Sequence, residues 1–162
     1  MNTDLMFSSK TDLWSTPQWL YDQLHKEFNF TLDPCATDDN HKCNKYFTKE
    51  QDGLKQDWGK DTVFCNPPYG RYITDKWVQK AFETFQEHKN TIVMLLPART
   101  DTLWFHGYIY QIAEIRFIKG RLKFGNSKDG APFPSMIVIY RGVVNKQPLP
   151  GQTHIDDLLG GI

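Results

Sequence analysis

The chain has 162 residues, nineteen acidic and nineteen basic side chains, and an apolar content of 40%. That is enough for one domain with a sizeable core, and zero net charge argues against a strongly electrostatic nucleic-acid binder. No apolar run approaches the roughly 18 residues that cross a bilayer, and Met1-Asn2-Thr3-Asp4 lacks the pattern of a signal peptide, so the expected setting is cytoplasmic with no membrane partner. Cys35, Cys43 and Cys65 are odd in number, which suits free thiols in a reducing compartment; their spacing with His41 is not a regular ligand pattern, and no metal is expected. Charge is unevenly spread. Residues 1 to 60 hold seven Lys/Arg against ten Asp/Glu, and residues 61 to 162 hold twelve against nine, so any nucleic-acid face belongs to the second part.

Along the chain, helices alternate with short strands, as an α/β sheet requires. Thr16-Pro17 opens the first helix, with threonine as cap and proline in the first turn, and Leu20, Leu24 and Phe28 recur at four-residue spacing. Phe30 and Leu32 alternate into Asp33-Pro34, a strand ending on a carboxylate. Lys45 to Thr48 is a weak second strand, followed by a turn at Asp52-Gly53-Leu54. Thr62 to Cys65 is a further strand. Thr74 then caps a helix with Trp77, Val78, Ala81, Phe82 and Phe85 on one face. Thr91 to Leu96 is a fully apolar strand ended by Pro97, and Asp101 or Thr102 starts a helix carrying Trp104, Phe105, Tyr108, Ile109 and Ile112. Ile115 to Ile118 and Met136 to Tyr140 are the last two strands. Residues 1–144 form the expected catalytic domain, and the Pro/Gly-containing stretch 145–162 has little to bury and is expected to be a mobile tail.

The tetrapeptide Asn66-Pro67-Pro68-Tyr69 follows the apolar run Val63-Phe64-Cys65. Two prolines cannot continue a central strand, so the backbone turns away at its carboxyl end, where open α/β sheets bind ligands. The Asn66 oxygen and the Pro67 carbonyl can converge as acceptors, with Tyr69 as a flat wall. That suits a planar ring bearing an exocyclic amine. The motif resembles the signature of S-adenosylmethionine-dependent amino-methyltransferases, in which Asn or Asp, then Pro-Pro and an aromatic residue, holds the amine. A donor must also be held, and Asp33-Pro34-Cys35-Ala36 stands at the end of the first strand, although this loop lacks the glycines that let backbone approach a ligand. Asp52 and Asp57 are candidates for a second donor carboxylate, with Asp57 favoured beside Trp58. Arg116, Lys119, Arg121, Lys123 and Lys128, interleaved with Phe117 and Phe124, make either a solvated hairpin or a surface for phosphates and bases.

Several ordered motifs together are similar to the phage and prophage DNA N6-adenine methyltransferase family: Trp14-Ser15-Thr16-Pro17, Phe30 to Thr37, Tyr46-Phe47-Thr48, Asp52-Gly53-Leu54, Asp57-Trp58, Asn66 to Gly70, Leu96 to Arg99 and Lys119 to Phe124. The resemblance covers residues from about 12 to 140. It implies a compact Rossmann-like, three-layer αβα fold with a C-terminal β-hairpin, S-adenosylmethionine as cofactor, DNA as partner, and a phage or prophage protein in the bacterial cytoplasm. Asn66, Pro67, Pro68 and Tyr69 are the implied catalytic residues. Trp14, Thr16, Pro17, Asp33, Pro34, Cys35, Ala36 and Asp57 are the implied cofactor-binding set. Arg71, Arg121, Lys123, Phe124, Lys128 and Phe133 are expected on the nucleic acid, with Phe124 or Phe133 closing the second face of a flipped base. The first strand and the motif are only about thirty residues apart, leaving room for fewer strands than in larger relatives. Rival readings are cytosine-N4, RNA or protein amino-methylation on the same fold, and a catalytically inactive nucleic-acid-binding relative.

Overall fold

A computed structural model describes residues 14–143; the chain start and the expected tail at 145–162 lie outside the described residues. Three helices and six strands follow in the order α1 (Gln18–Phe28), β1 (Leu32–Asp33), β2 (Lys45–Tyr46), β3 (Val63–Cys65), α2 (Thr74–His88), β4 (Ile92–Pro97), α3 (Leu103–Tyr108), β5 (Glu114–Phe117) and β6 (Ser135–Tyr140). The strands form one mixed sheet in the order β2-β1-β3-β4-β6-β5. β1 pairs in parallel with β2 and β3, β3 with β4, and β6 runs antiparallel to both β4 and β5.

Side-chain alternation along the central strands builds a separate apolar cluster on each face of the sheet. Ile92, Met94 and Leu96 of β4 and Met136, Val138 and Tyr140 of β6 pack with Trp77, Val78 and Ala81 of α2 and Phe105 of α3. Val93 and Leu95, with Ile137 and Ile139, turn the other way onto Leu20, Tyr21, Leu24 and Phe28 of α1. Burial of β4 on both faces explains why its sequence is an unbroken apolar run rather than an alternating one. The parallel strands β1, β3 and β4 finish at Asp33, Cys65 and Pro97, so one edge of the sheet collects the loops that begin Pro34 and Asn66.

Three local expectations are corrected. Thr74 does not cap α2: it is the first helical residue, Ile73 stands before it, no side chain caps the helix, and the Thr74 hydroxyl instead accepts the Gly70 N–H. Thr16 does not cap α1: the flanking residue is Pro17, no side chain caps the helix, and the Thr16 hydroxyl is engaged by Asn66 instead. The third helix stops at Tyr108 rather than carrying Ile112, because the chain leaves helical geometry at Ile109 and passes through a left-handed Gln111. Its start is as expected, since the Thr102 hydroxyl accepts the Phe105 N–H at 3.2 Å.

The turn after β2 packs directly on the turn after β1. A Cβ placed on Gly53 would stand 2.0 Å from the Pro34 carbonyl oxygen and 3.0 Å from the Trp77 ring, while the Gly53 carbonyl accepts the buried Trp58 indole N–H at 2.8 Å. Gly53→Ala is therefore expected to lower stability by about 1–3 kcal/mol, as overpacking does; urea unfolding of the two proteins checks this, with an unchanged midpoint the contrary result.

Candidate active site

Asn66 sits immediately beyond β3 with every polar atom of its side chain engaged. Nδ2 donates to the Trp14 carbonyl at 2.7 Å and to the Thr16 hydroxyl at 3.0 Å, and Oδ1 accepts the Tyr69 O–H at 2.7 Å. The Tyr69 hydroxyl is also 3.0 Å from the Leu95 carbonyl of β4. Burial pushes this phenol well above its ordinary range, so it stays neutral and serves as a donor and a flat surface rather than a base. Pro67 is buried, and Pro68 hands its carbonyl to the Thr74 hydroxyl at 3.4 Å. Thr74 also accepts the Gly70 N–H at 3.1 Å, which anchors the motif to the first turn of α2.

An aromatic group surrounds the Tyr69 ring. Phe133 meets it edge-on at a centroid distance of 5.5 Å, Phe124 at 6.3 Å, and Trp14 lies at 6.2 Å. Trp14 in turn contacts Phe124 and Phe133 at 5.3 and 5.1 Å. The residues expected to close a base pocket thus converge on the motif, and Trp14 joins them although its implied role was at the donor. Phe124 is buried and points inward with Leu122, while Arg121, Lys123 and Lys128 on the same β5–β6 connection are exposed. Arg71 is exposed just after the motif, 5.0 Å over the ring of Tyr72, which holds a left-handed φ of 63°. Arg116 does not belong to this basic surface. Its guanidinium forks onto Glu27 of α1 at 2.7 and 2.8 Å and reaches Glu114 at 2.8 Å, completing an ion-pair group with Arg141.

The loop after β1 forms the neighbouring wall. Asp33 is only 4% exposed, and its two carboxylate oxygens accept the backbone N–H groups of Cys35 at 3.3 Å and Lys42 at 2.9 Å. Ala36 N–H donates to the Phe47 carbonyl and Phe47 N–H to the Asp33 carbonyl, so the loop is tied to the end of β2. Gly53 lets the turn Asp52–Leu54 lie directly against Pro34 of this loop. Only the turn chemistry of that tripeptide was legible in advance. Asp52, beside Gly53, pairs with Lys55 at 3.5 Å. Asp57 is elsewhere, with an 84% exposed side chain 3.8 Å from His88 at the far end of α2, a helix of fifteen residues and hence about 22 Å long. Trp58 is fully buried, 6.3 Å from Trp77 and parallel to it within 27°, so the expectation that Asp57 and Trp58 lie together against an adenine ring is not met. Cys35 and Cys65 carry thiols that burial pushes upward, which leaves neither as a ready nucleophile. Among the described residues no group of His, Cys, Asp and Glu could hold a metal ion, and no helix is long and apolar enough to cross a membrane.

Burial is the dominant influence on Asp33 and raises its carboxyl from 3.8 to about 6, against the two backbone N–H groups that oppose the shift. A carboxyl raised on folding contributes stability that is complete below its unfolded value and is lost as pH rises through its folded value. Stability should therefore fall between about pH 4 and about pH 6 by on the order of 3 kcal/mol from this group. Asp33→Asn, although weaker overall because an amide cannot accept both N–H groups, should lack this component; thermal melts across that window measure the difference, and identical slopes would contradict it.

Comparison with known proteins places the chain in a family. Residues 4–154 match the family model described as DNA N-6-adenine-methyltransferase (Dam). A DNA N-6-adenine-methyltransferase of Escherichia phage T1 is 37% identical over 165 aligned residues, covering 88% of this chain and 67% of its own length. The protein of the same name from Haemophilus phage HP1 is 34% identical over 140 aligned residues, covering 82% of this chain and 80% of its own. With the family model and these relatives matching over most of its length, the chain belongs to the DNA N-6-adenine-methyltransferase (Dam) family.

Proposed function

We propose that the chain transfers a methyl group to the N6 amine of adenine in DNA, with S-adenosylmethionine as the donor. The observation that carries this reading is the Asn66 side chain, fixed at the end of β3 with its oxygen beside the Tyr69 ring. The two apolar clusters on opposite faces of the sheet support a Rossmann-like, three-layer form of the α/β fold, closed by the antiparallel β5–β6 pair.

The donor fits the edge of β1. Asp33 is a buried acceptor, the Cys35 N–H is held by its carboxylate and the Ala36 N–H by the Phe47 carbonyl, and Gly53 lets the neighbouring turn close tightly on Pro34. Asp33 and the backbone of Pro34 to Ala36 would hold it, with Asp52 better placed than Asp57 to add a carboxylate. The donor supplies an electrophilic methyl on a sulfonium. Adenine N6 is a poor nucleophile because its lone pair is delocalised into the ring. Hydrogen bonds from N6 to the Asn66 oxygen and the Pro67 carbonyl favour a pyramidal nitrogen and aim its lone pair, so positioning provides most of the rate. No side chain needs to form a covalent intermediate, in keeping with the buried thiols. A base inside a duplex cannot reach this edge, so the target is flipped out, and stacking on Tyr69 and Phe133, with the buried Phe124 backing them rather than touching the base, offsets a cost of a few kcal/mol.

Two experiments test the reading. Labelled S-adenosylmethionine incubated with unmethylated duplex DNA, followed by digestion to nucleosides, should yield N6-methyladenine; label in cytosine, RNA or protein alone would reassign the acceptor. Asn66→Ala should lose at least a hundredfold in turnover, roughly 3 kcal/mol of transition-state stabilisation, while keeping donor affinity, and an active variant would sink the assignment. Replacing Arg121, Lys123 and Lys128 together with glutamine should flatten the slope of log affinity against log salt by about 2 to 3, close to one unit per lost phosphate contact. Fluorescence anisotropy on a short duplex reads this directly, and an unchanged slope would move the DNA surface elsewhere.

A further inference from the structure

The side-chain amide of Asn66 is useful only in one of its two orientations. With the oxygen toward the acceptor it receives an N6 hydrogen; turned by 180° it presents an NH2 to another NH2 and repels it. Its surroundings decide which. The Trp14 backbone carbonyl is 2.7 Å from one end of the amide, and a carbonyl can only accept, so that end must be the nitrogen. The second hydrogen of the same nitrogen goes to the Thr16 hydroxyl at 3.0 Å, from a residue only 6% exposed. Both donors are then used, and Oδ1 is left with one lone pair on the Tyr69 hydroxyl and one for a ligand.

We propose that the Trp14 carbonyl and the Thr16 hydroxyl are positioning groups that lock the Asn66 amide with its oxygen toward the acceptor amine, and that they restrict position 66 of this chain to asparagine. The inference rests on the reading of Asn66 as the group that holds N6, and it gives Thr16 a role on the acceptor side instead of the donor side implied by resemblance. An aspartate at position 66 would set a carboxylate oxygen against the Trp14 carbonyl, acceptor against acceptor, although the broader motif class uses Asn or Asp. Protonation of that aspartate would restore a donor and with it the geometry.

The test compares Thr16→Val, Thr16→Ser and Asn66→Asp with the unaltered protein, reading turnover, donor affinity by calorimetry and thermal midpoint. Thr16→Val should lose roughly tenfold in kcat, the worth of one hydrogen bond, with donor affinity within about twofold, and Thr16→Ser should restore most of the loss. Asn66→Asp should fall at least roughly tenfold at pH 8 and recover relative to the unaltered protein as pH is lowered toward 6. Loss of donor affinity in step with kcat in Thr16→Val would overturn the proposal, as would equal loss in Thr16→Ser or a fully active Asn66→Asp at pH 8. If the unaltered protein makes no N6-methyladenine, the reading of the site falls and this inference with it; if it does and Thr16→Val is unimpaired, the positioning role alone is removed.

Discussion

Three consecutive residues at the head of α1 hold the loops of the catalytic edge together. Trp14 gives its carbonyl and Thr16 its hydroxyl to Asn66, the Ser15 carbonyl accepts the Gly125 N–H at 2.9 Å, and the Ser15 hydroxyl accepts from Asn40 at 2.7 Å. The motif after β3, the long loop after β1 and the basic β5–β6 connection therefore share one short segment ahead of α1. Each of these hydrogen bonds contributes only about 1 kcal/mol on its own. Their value lies in tying three separate loops to one common frame.

That frame is possible because the parallel strands end together and end decisively. Proline follows Asp33 at the end of β1 and Asn66 at the end of β3, and β4 itself finishes on Pro97; none can donate to the ladder, so pairing stops and the chain turns out of the sheet. Below this edge the core is apolar on both sides, and the ion pairs of Arg116 and Arg141 with Glu27 and Glu114 tie the edge strand β5 to α1. Stiffness beneath and loops above is the arrangement by which a rigid scaffold carries a site.

How much of this was legible in the sequence varies with the range of the interaction. Strand positions and the helix face of Trp77, Val78 and Ala81 follow from local periodicity, and the order of the motifs carries the family. Contacts between distant residues did not show. The Thr16 hydroxyl looks like a cap because its sequence neighbours are a helix start, yet its partner lies fifty positions away. Arg116 belongs by sequence to a basic run, but Glu27, eighty-nine positions earlier, withdraws it. Trp58 next to an exposed Asp57 suggested a ligand wall, whereas its indole is consumed by the Gly53 carbonyl in the core. Gly53 reads in sequence only as a turn, whereas it lets that turn close on the Pro34 carbonyl of the β1 loop.

The reversed direction of β6 has a consequence for how the chain is handled. It carries the backbone from Ser135, beside the catalytic edge, back to Tyr140 opposite Ile92, where β4 begins. Gly142 then lies flat on the backbone of Lys89 to Thr91, so closely that an added Cβ would be 2.3 Å from a carbonyl oxygen. The described residues thus begin at the rim that carries the Asn66 loop, at Trp14, and end at the opposite one. A fluorophore carried at the exposed Val143 therefore stands on the rim away from Asn66, whereas one carried at Trp14 would sit against the Asn66 amide itself.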